Sequence, residues 1–217
     1  MIAEVRPVSE RKSEASVRET RTQAERRDEA ERRILEAAAE IVAEGGFEAI
    51  TLAEAGVRAG YSRGLPSHYF RTKGDLLSAL GIYVVESFLV RHRASAGGAG
   101  GFEGLMESIR YYFQMPLVSP TLARAFQAVL ASAFNTPAVA ATIAEVNRNA
   151  VTEIAAGIRA GIAAGRLRDD IDPDMQGALI LATLRGSISQ WLTDPEQVDL
   201  TRLGAYFIST LEQSLAK

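Results

Sequence analysis

Apolar residues return every three or four positions from about Glu25 to the end of the chain. Ala30, Ile34, Leu35, Ala38, Ile41 and Val42 fall on one helical face. That run stops at Gly45–Gly46, where glycine can supply a left-handed C-terminal cap. Thr51-Leu-Ala-Glu54 has the spacing of a capping box, in which the hydroxyl serves a free amide and the carboxylate reaches back. It predicts a short helix to about Ala59. Gly60 breaks that helix, and Ser62 can cap the next. Three helices packed so closely, the last two joined by a tight glycine turn, make a helix-turn-helix pattern.

Beyond Lys73 the same period predicts longer helices. They run from Leu76 to about Arg93, from Phe102 to Met115 before Pro116, and from Thr121 to Phe134 with Ser119 or Pro120 at the start. Ala138 to about Ala164 follows, ended by Gly165. Pro173 to Leu192 starts behind an Asp172 cap, and Thr201 to about Leu215 is the last. AGGAGG (96–101) reads as a loop, and GRLRDDIDPD (165–174) as a polar connection. No alternating strand pattern of useful length occurs, so the expected fold class is all-α, with about nine helices. Residues 1–27 mix Arg, Lys and Glu with few large apolar residues and predict a charged N-terminal arm or a frayed helix extension.

Composition narrows the function. Of 217 residues, 47% are hydrophobic and 24% charged, which suits a packed soluble domain. The absence of cysteine excludes disulfides and thiolate metal sites and suits a reducing cytoplasm. The first residues lack the apolar core of a signal peptide, and no run has the length of a membrane span, so no membrane partner is expected. A net charge of −3 means that any nucleic-acid surface must be local. With two histidines and no P-loop, dinucleotide fingerprint or HExxH, no enzyme is expected, and no cofactor or metal. Asp169, Asp170, Asp172 and Asp174 cluster, but Asp-Pro explains them as turn and cap residues.

The local basic surface is GYSRGLPSHYFRTKGDL (60–76). With Ser62 as N-cap, Pro66 would sit in a first turn that has few backbone bonds to lose. Gly64 leaves the backbone bare on a side that can approach DNA. Ser67, His68 and Tyr69 can bond phosphates or base edges, Phe70 should point inward, and Lys73 can hold a phosphate.

The segment 32–80 resembles the DNA-binding domain of TetR-type bacterial transcriptional regulators. The landmarks are Arg32-Arg33-Ile34-Leu35-x-Ala37-Ala38, Gly46-Phe47, Thr51, Ala59-Gly60, Ser62-x-Gly64, Tyr69-Phe70 and Lys73, in order and at family spacing. Four positions depart from that pattern: Ala55-Gly56 stand where the family usually has a large aliphatic followed by Ala, Ser67 where a tyrosine is common, and Pro66 where a helix former is usual.

The resemblance implies a helix-turn-helix DNA-binding domain over 28–74 and a helical ligand-binding and dimerisation domain over 75–217. It implies a homodimer on a double-stranded, pseudo-palindromic DNA operator, with half-sites about 34 Å or a multiple apart. A small-molecule effector would release a repressor from that operator. The DNA-contact candidates are Thr51, Arg63, Gly64, Ser67, His68, Tyr69 and Lys73. The arginines of the first helix, Arg26, Arg27, Arg32 and Arg33, alternate with acids and read as a salt-bridged face. For the effector, the candidates are Arg110, Tyr111, Phe113, Gln114, Phe126, Phe134 and Trp191, with Tyr112 adding aromatic surface. For the dimer interface they are Ala178, Ala182 and Gly186 on one late helix and Leu203, Phe207 and Leu211 on the next. A helical sensor or adaptor with weak or lost DNA binding is the alternative.

Overall fold

The computed structural model describes residues 22–95 and 100–217. Residues 1–21 of the expected arm and 96–99 of the expected loop lie outside the described residues. Helices α1 (Gln23–Ala49) and α2 (Leu52–Arg58) precede a short 3-10 segment, Leu65–His68. Then follow α3 (Lys73–Ser95), α4 (Gly101–Val118), α5 (Pro120–Ser132), α6 (Pro137–Ala163), α7 (Pro173–Thr193) and α8 (Leu200–Leu215). No strand occurs among the described residues, and the all-α reading holds.

Each helix end has a local cause. Thr22 and Glu25 form a full capping box at the start of α1. The break expected at Gly45–Gly46 is there: Gly46 has φ +74° inside α1, a left-handed value that suits glycine. At Thr51 half of the expected capping box is present. Its hydroxyl accepts from the Glu54 amide at 3.1 Å, without a return bond from the carboxylate. A reciprocal pair forms instead at Thr72 and Asp75, at 3.0 and 3.1 Å. That pair starts α3 at Lys73, earlier than Leu76. Asp172 accepts from the amides of Asp174 and Met175 and places Pro173 in the first turn of α7, as expected. Helix α4 does not stop before Pro116. It runs on to Val118, with the proline ring buried in place of the hydrogen bond that its amide would have made.

Two buried clusters organise the chain. The first joins α1, α2, the 3-10 segment and α3 to α5 and the start of α6, through Ile34, Ile50, Phe70, Leu76, Leu80, Ala125, Val129 and Ile143. The second lies among α4, α6, α7 and α8, around Ile109, Phe113, Ile158, Ile180, Leu184, Leu211 and Leu215. Small residues let the helices close. A Cβ on Gly157 would come within 2.8 Å of Leu105, and one on Gly204 within 2.6 Å of the Phe113 ring. No single helix among the described residues is long and apolar enough to cross a membrane.

Candidate nucleic-acid interface

The turn after α2 closes by backbone bonds alone. Gly60 takes φ +81°, its amide bonds the Val57 carbonyl, and the Tyr61 amide reaches the Gly56 carbonyl at 2.8 Å. This pair of hydrogen bonds is a Schellman ending, which a β-carbon at Gly60 would strain. The chain then turns back across α2. Here the structure corrects the sequence reading. The expected α-helix capped by Ser62 is a 3-10 segment of four residues, and the Ser62 side chain makes no cap. The Ser62 carbonyl accepts from Leu65, three residues on, at 3.2 Å. Pro66 has no amide for the i−4 bond that an α-helix would need, so the tighter i−3 pattern takes over.

Pro66 is buried, and it sits on Gly56. A Cβ at Gly56 would meet the Ser62 carbonyl oxygen at 2.7 Å and the Pro66 ring carbons at 2.8 and 2.9 Å. Two departures from the family pattern are therefore one packing unit. The segment is also held from α1. The Arg33 guanidinium lies over the Tyr61 ring at 5.4 Å, and that of Arg27 over Tyr69 at 5.7 Å. Phe70 is buried beneath, as expected.

Most of the residues expected to contact DNA lie at the outer surface. Thr51, Arg63, Gly64, Ser67 and His68 are exposed, and Tyr69 is half-buried. Nothing lies within 4 Å of a Cβ built on Gly64, so its backbone faces open space. Lys73 is half-buried at the edge of this surface. Its Nζ donates to the Glu48 carbonyl at 3.1 Å and so closes the end of α1. An open cleft of about 700 Å³ lies between the first turns of α1 and the segment, lined by Gln23, Arg26, Arg27, His68 and Tyr69 among others. Arg32 does pair with Glu29 and Glu36, as a solvated helix face would. Arg27 and Arg33 do otherwise, because each has a tyrosine ring opposite it. A charge pattern along one helix does not reveal an aromatic partner that arrives about thirty to forty residues later.

The remaining candidates separate. Arg110 and Gln114 are exposed on α4, and Arg110 pairs with Glu212 at 3.3 Å. Phe113 is buried against Phe207, with ring centroids 6.1 Å apart. Trp191 packs on the second core. Phe134 is 90% exposed after the end of α5 and joins none of the others. Tyr111 packs on Phe88 at 5.2 Å, and Tyr112 on the same ring at 5.6 Å. Phe126 lies under the Arg185 guanidinium at 5.5 Å, a residue that the sequence reading passed over.

On α7, Ala178 and Ala182 face out, and Gly186 is half-buried with open space beside it. The α8 candidates turn inward: Leu211 is buried, and Leu203 and Phe207 pack on the second core. The outward apolar residues of this pair are instead Met175 (66% exposed), Leu179 (62%) and Tyr206 (73%). Of the Asp cluster, Asp172 caps α7 and Asp174 pairs with Arg159. No three metal-ligating side chains gather among the described residues.

Known proteins share this arrangement. Residues 34–80 match the model of bacterial regulatory proteins of the tetR family, and residues 103–216 match that of the C-terminal part of BetI-type transcriptional repressors. The HTH-type transcriptional regulator CymR of Pseudomonas putida is 39% identical over 74 residues, which is 34% of this chain and 36% of that protein. The match thus spans about a third of the relative's length. A candidate TetR-family regulator from Rhodococcus sp. superposes with a TM-score of 0.78 at 22% identity, over 87% of this chain and 100% of its own. A candidate transcriptional regulator from Saccharomonospora viridis, solved in complex with choline, gives 0.75 at 21% identity, over 88% and 99%. At those identities the two structures speak for the fold.

Proposed function

The chain belongs to the TetR family of bacterial regulatory proteins, and from that premise we propose that it is a cytoplasmic, homodimeric repressor that leaves its DNA operator when a small molecule binds among α3–α7. The observation that carries the DNA-binding half is the exposed row Arg63, Gly64, Ser67 and His68 on a segment whose other side is fixed by Pro66 on Gly56 and by two arginine–tyrosine contacts. A surface that must fit a groove needs such support from behind. Thr51 and Lys73 flank the row and suit phosphate oxygens. Lys73 would exchange the Glu48 carbonyl for a phosphate on binding.

The outward stripe of Met175, Ala178, Leu179, Ala182 and Tyr206 supports pairing of two copies through α7 and α8. A four-helix arrangement buries such a face. Two copies then present two reading segments to successive turns of the major groove. The effector half rests on the fold, since one fold relative holds choline, and on the contacts of Phe88 with Tyr111 and Tyr112 and of Arg185 with Phe126 among these helices.

The test is selection of binding sites from random double-stranded DNA, followed by gel shifts over a salt series. An enriched inverted repeat is expected. Lys73→Ala should weaken binding to all sequences alike and lower the slope of log K against log salt by about one. An unchanged slope would remove Lys73 from the interface. A second reading, a helical sensor that does not read DNA, draws on the shortness of the 3-10 segment. It predicts no enriched repeat even at low salt.

A further inference from the structure

The side chain of Arg185 leaves α7 toward the protein interior rather than toward solvent. Its guanidinium lies over the Phe126 ring of α5 at 5.5 Å. The phenol of Tyr112 on α4 is its polar neighbour. The Gln127 amide holds the Arg185 carbonyl at 3.3 Å. The Arg185 Nε is buried and has no hydrogen-bond partner. No carboxylate lies within ion-pair distance of it among the described residues, and burial lowers its pKa from the ordinary arginine value. Buried charges are normally paired, because their hydration is lost and must be replaced. Here a hydroxyl and a ring face take the place of a counter-ion.

Other unanswered groups lie in the same layer of helices. Asn147 Oδ1 on α6 is buried without a partner, and so is Glu107 Oε2 on α4. Helices α6 and α7 run antiparallel: Gly177 lies against Val151 and Ala155, and Asp174 against Arg159. Two turns further along α7, Arg185 comes level with the turn of α6 that carries Asn147. Glu107 stands more than a turn before Tyr112 on α4. The Phe88 ring stands edge-on to Tyr112 at 5.6 Å, and Phe126 also packs on the first buried cluster.

We propose that Arg185 and Tyr112 form the recognition point for the carboxylate of a monoanionic effector whose apolar or aromatic body lies along Phe88 and Phe126. A guanidinium takes a carboxylate in a two-bonded fork, and a neutral phenol can add a third donor. Burial keeps Tyr112 in that neutral form by raising its pKa. One fixed cation matches one negative charge, whereas a phosphate dianion would leave charge unpaired. A cation such as choline would face Arg185 as a like charge. This rests on the proposal that a small molecule binds within this layer, and it names the chemical class.

The experiment is calorimetric titration of the full-length protein with octanoate and 3-phenylpropanoate, with their amides, and with octyltrimethylammonium. For the wild type, the carboxylates should bind roughly ten- to a hundred-fold more tightly than the amides, the span expected for a charge-assisted hydrogen-bond pair. Arg185→Gln should bring that ratio to about one while leaving the helical circular dichroism spectrum in place. Arg185→Lys should restore part of it. Equal affinity for acid and amide, tighter binding of the ammonium compound, a ratio that survives Arg185→Gln, or no carboxylate binding below millimolar each overturns the assignment. A protein that selects no DNA site yet prefers carboxylates would keep this assignment and sink the repressor reading. One that selects a site and binds only the amide or the cation would do the reverse.

Discussion

Gly56→Ala tests whether the reading segment is positioned by direct packing on α2. The new methyl would stand 2.7 Å from the Ser62 carbonyl oxygen and 2.8 and 2.9 Å from Pro66 Cδ and Cγ. All three are inside contact distance, and neither backbone oxygen nor proline ring can swing aside as a long side chain can. Forcing a methyl into such a site costs about 1–3 kcal/mol. Against this, alanine gains about 0.8–1 kcal/mol of helix propensity over glycine within α2. The net expectation is a loss of about 1 kcal/mol, read from urea unfolding followed by circular dichroism. Pro66→Ala in the same background removes the two ring contacts and restores an amide that can bond Ser62. The double variant should therefore lose less stability than the two single changes added together, with a coupling energy of about 0.5 kcal/mol or more, while the Ser62 oxygen still opposes the methyl. Gly64→Ala is the control. With open space around it and φ −88°, it should leave stability unchanged or slightly raised. If Gly56→Ala instead stabilised by the full propensity gain, and showed no coupling to Pro66→Ala, the close approach of the two elements would be refuted.

Leu179→Glu should place a charge in the outward stripe of α7 and weaken self-association by more than about a hundredfold, as burial of an unpaired charge does. Sedimentation equilibrium that finds the same dimer would move the interface elsewhere. Asp172→Ala removes the acceptor for two amides at the start of α7 and should cost about 1 kcal/mol of stability, measured by urea unfolding. An effect below a few tenths would mean that water replaces the cap.

Ends of helices were the most legible part of this chain, because their causes are local. Asp172-Pro173, Gly46 and Gly165 act within one turn of themselves, and the structure places breaks or caps at each. The opening of the reading segment was read less well. Whether Pro66 is tolerated as an α-helical first turn or forces a 3-10 turn depends on how near α2 can come, and that is decided by Gly56, ten positions earlier. The faces of α7 and α8 pose a related difficulty. Both helices carry apolar residues on two sides, so periodicity finds Leu203, Phe207 and Leu211 as readily as Met175, Leu179 and Tyr206. Only the packed neighbours tell inside from outside. Arg185 was missed because one arginine in a helix, within TLRGSIS, looks like a residue at the water's edge. Its role depends on Phe126 and Tyr112, each more than fifty positions away.

The first buried cluster has a consequence for protein engineering. It does not end where the helix-turn-helix ends: Ala125 and Val129 of α5, and Val139 and Ile143 of α6, belong to the same packed group as Ile34 and Leu76. A hybrid regulator built by grafting residues 28–74 onto another effector module would sever that group and leave apolar faces bare on both sides of the junction. The transplantable unit is larger and discontinuous. It takes in the head, the first turns of α3, and the matching faces of α5 and α6. A successful chimera of this protein should need compensating changes at those four distant positions more than at the splice itself.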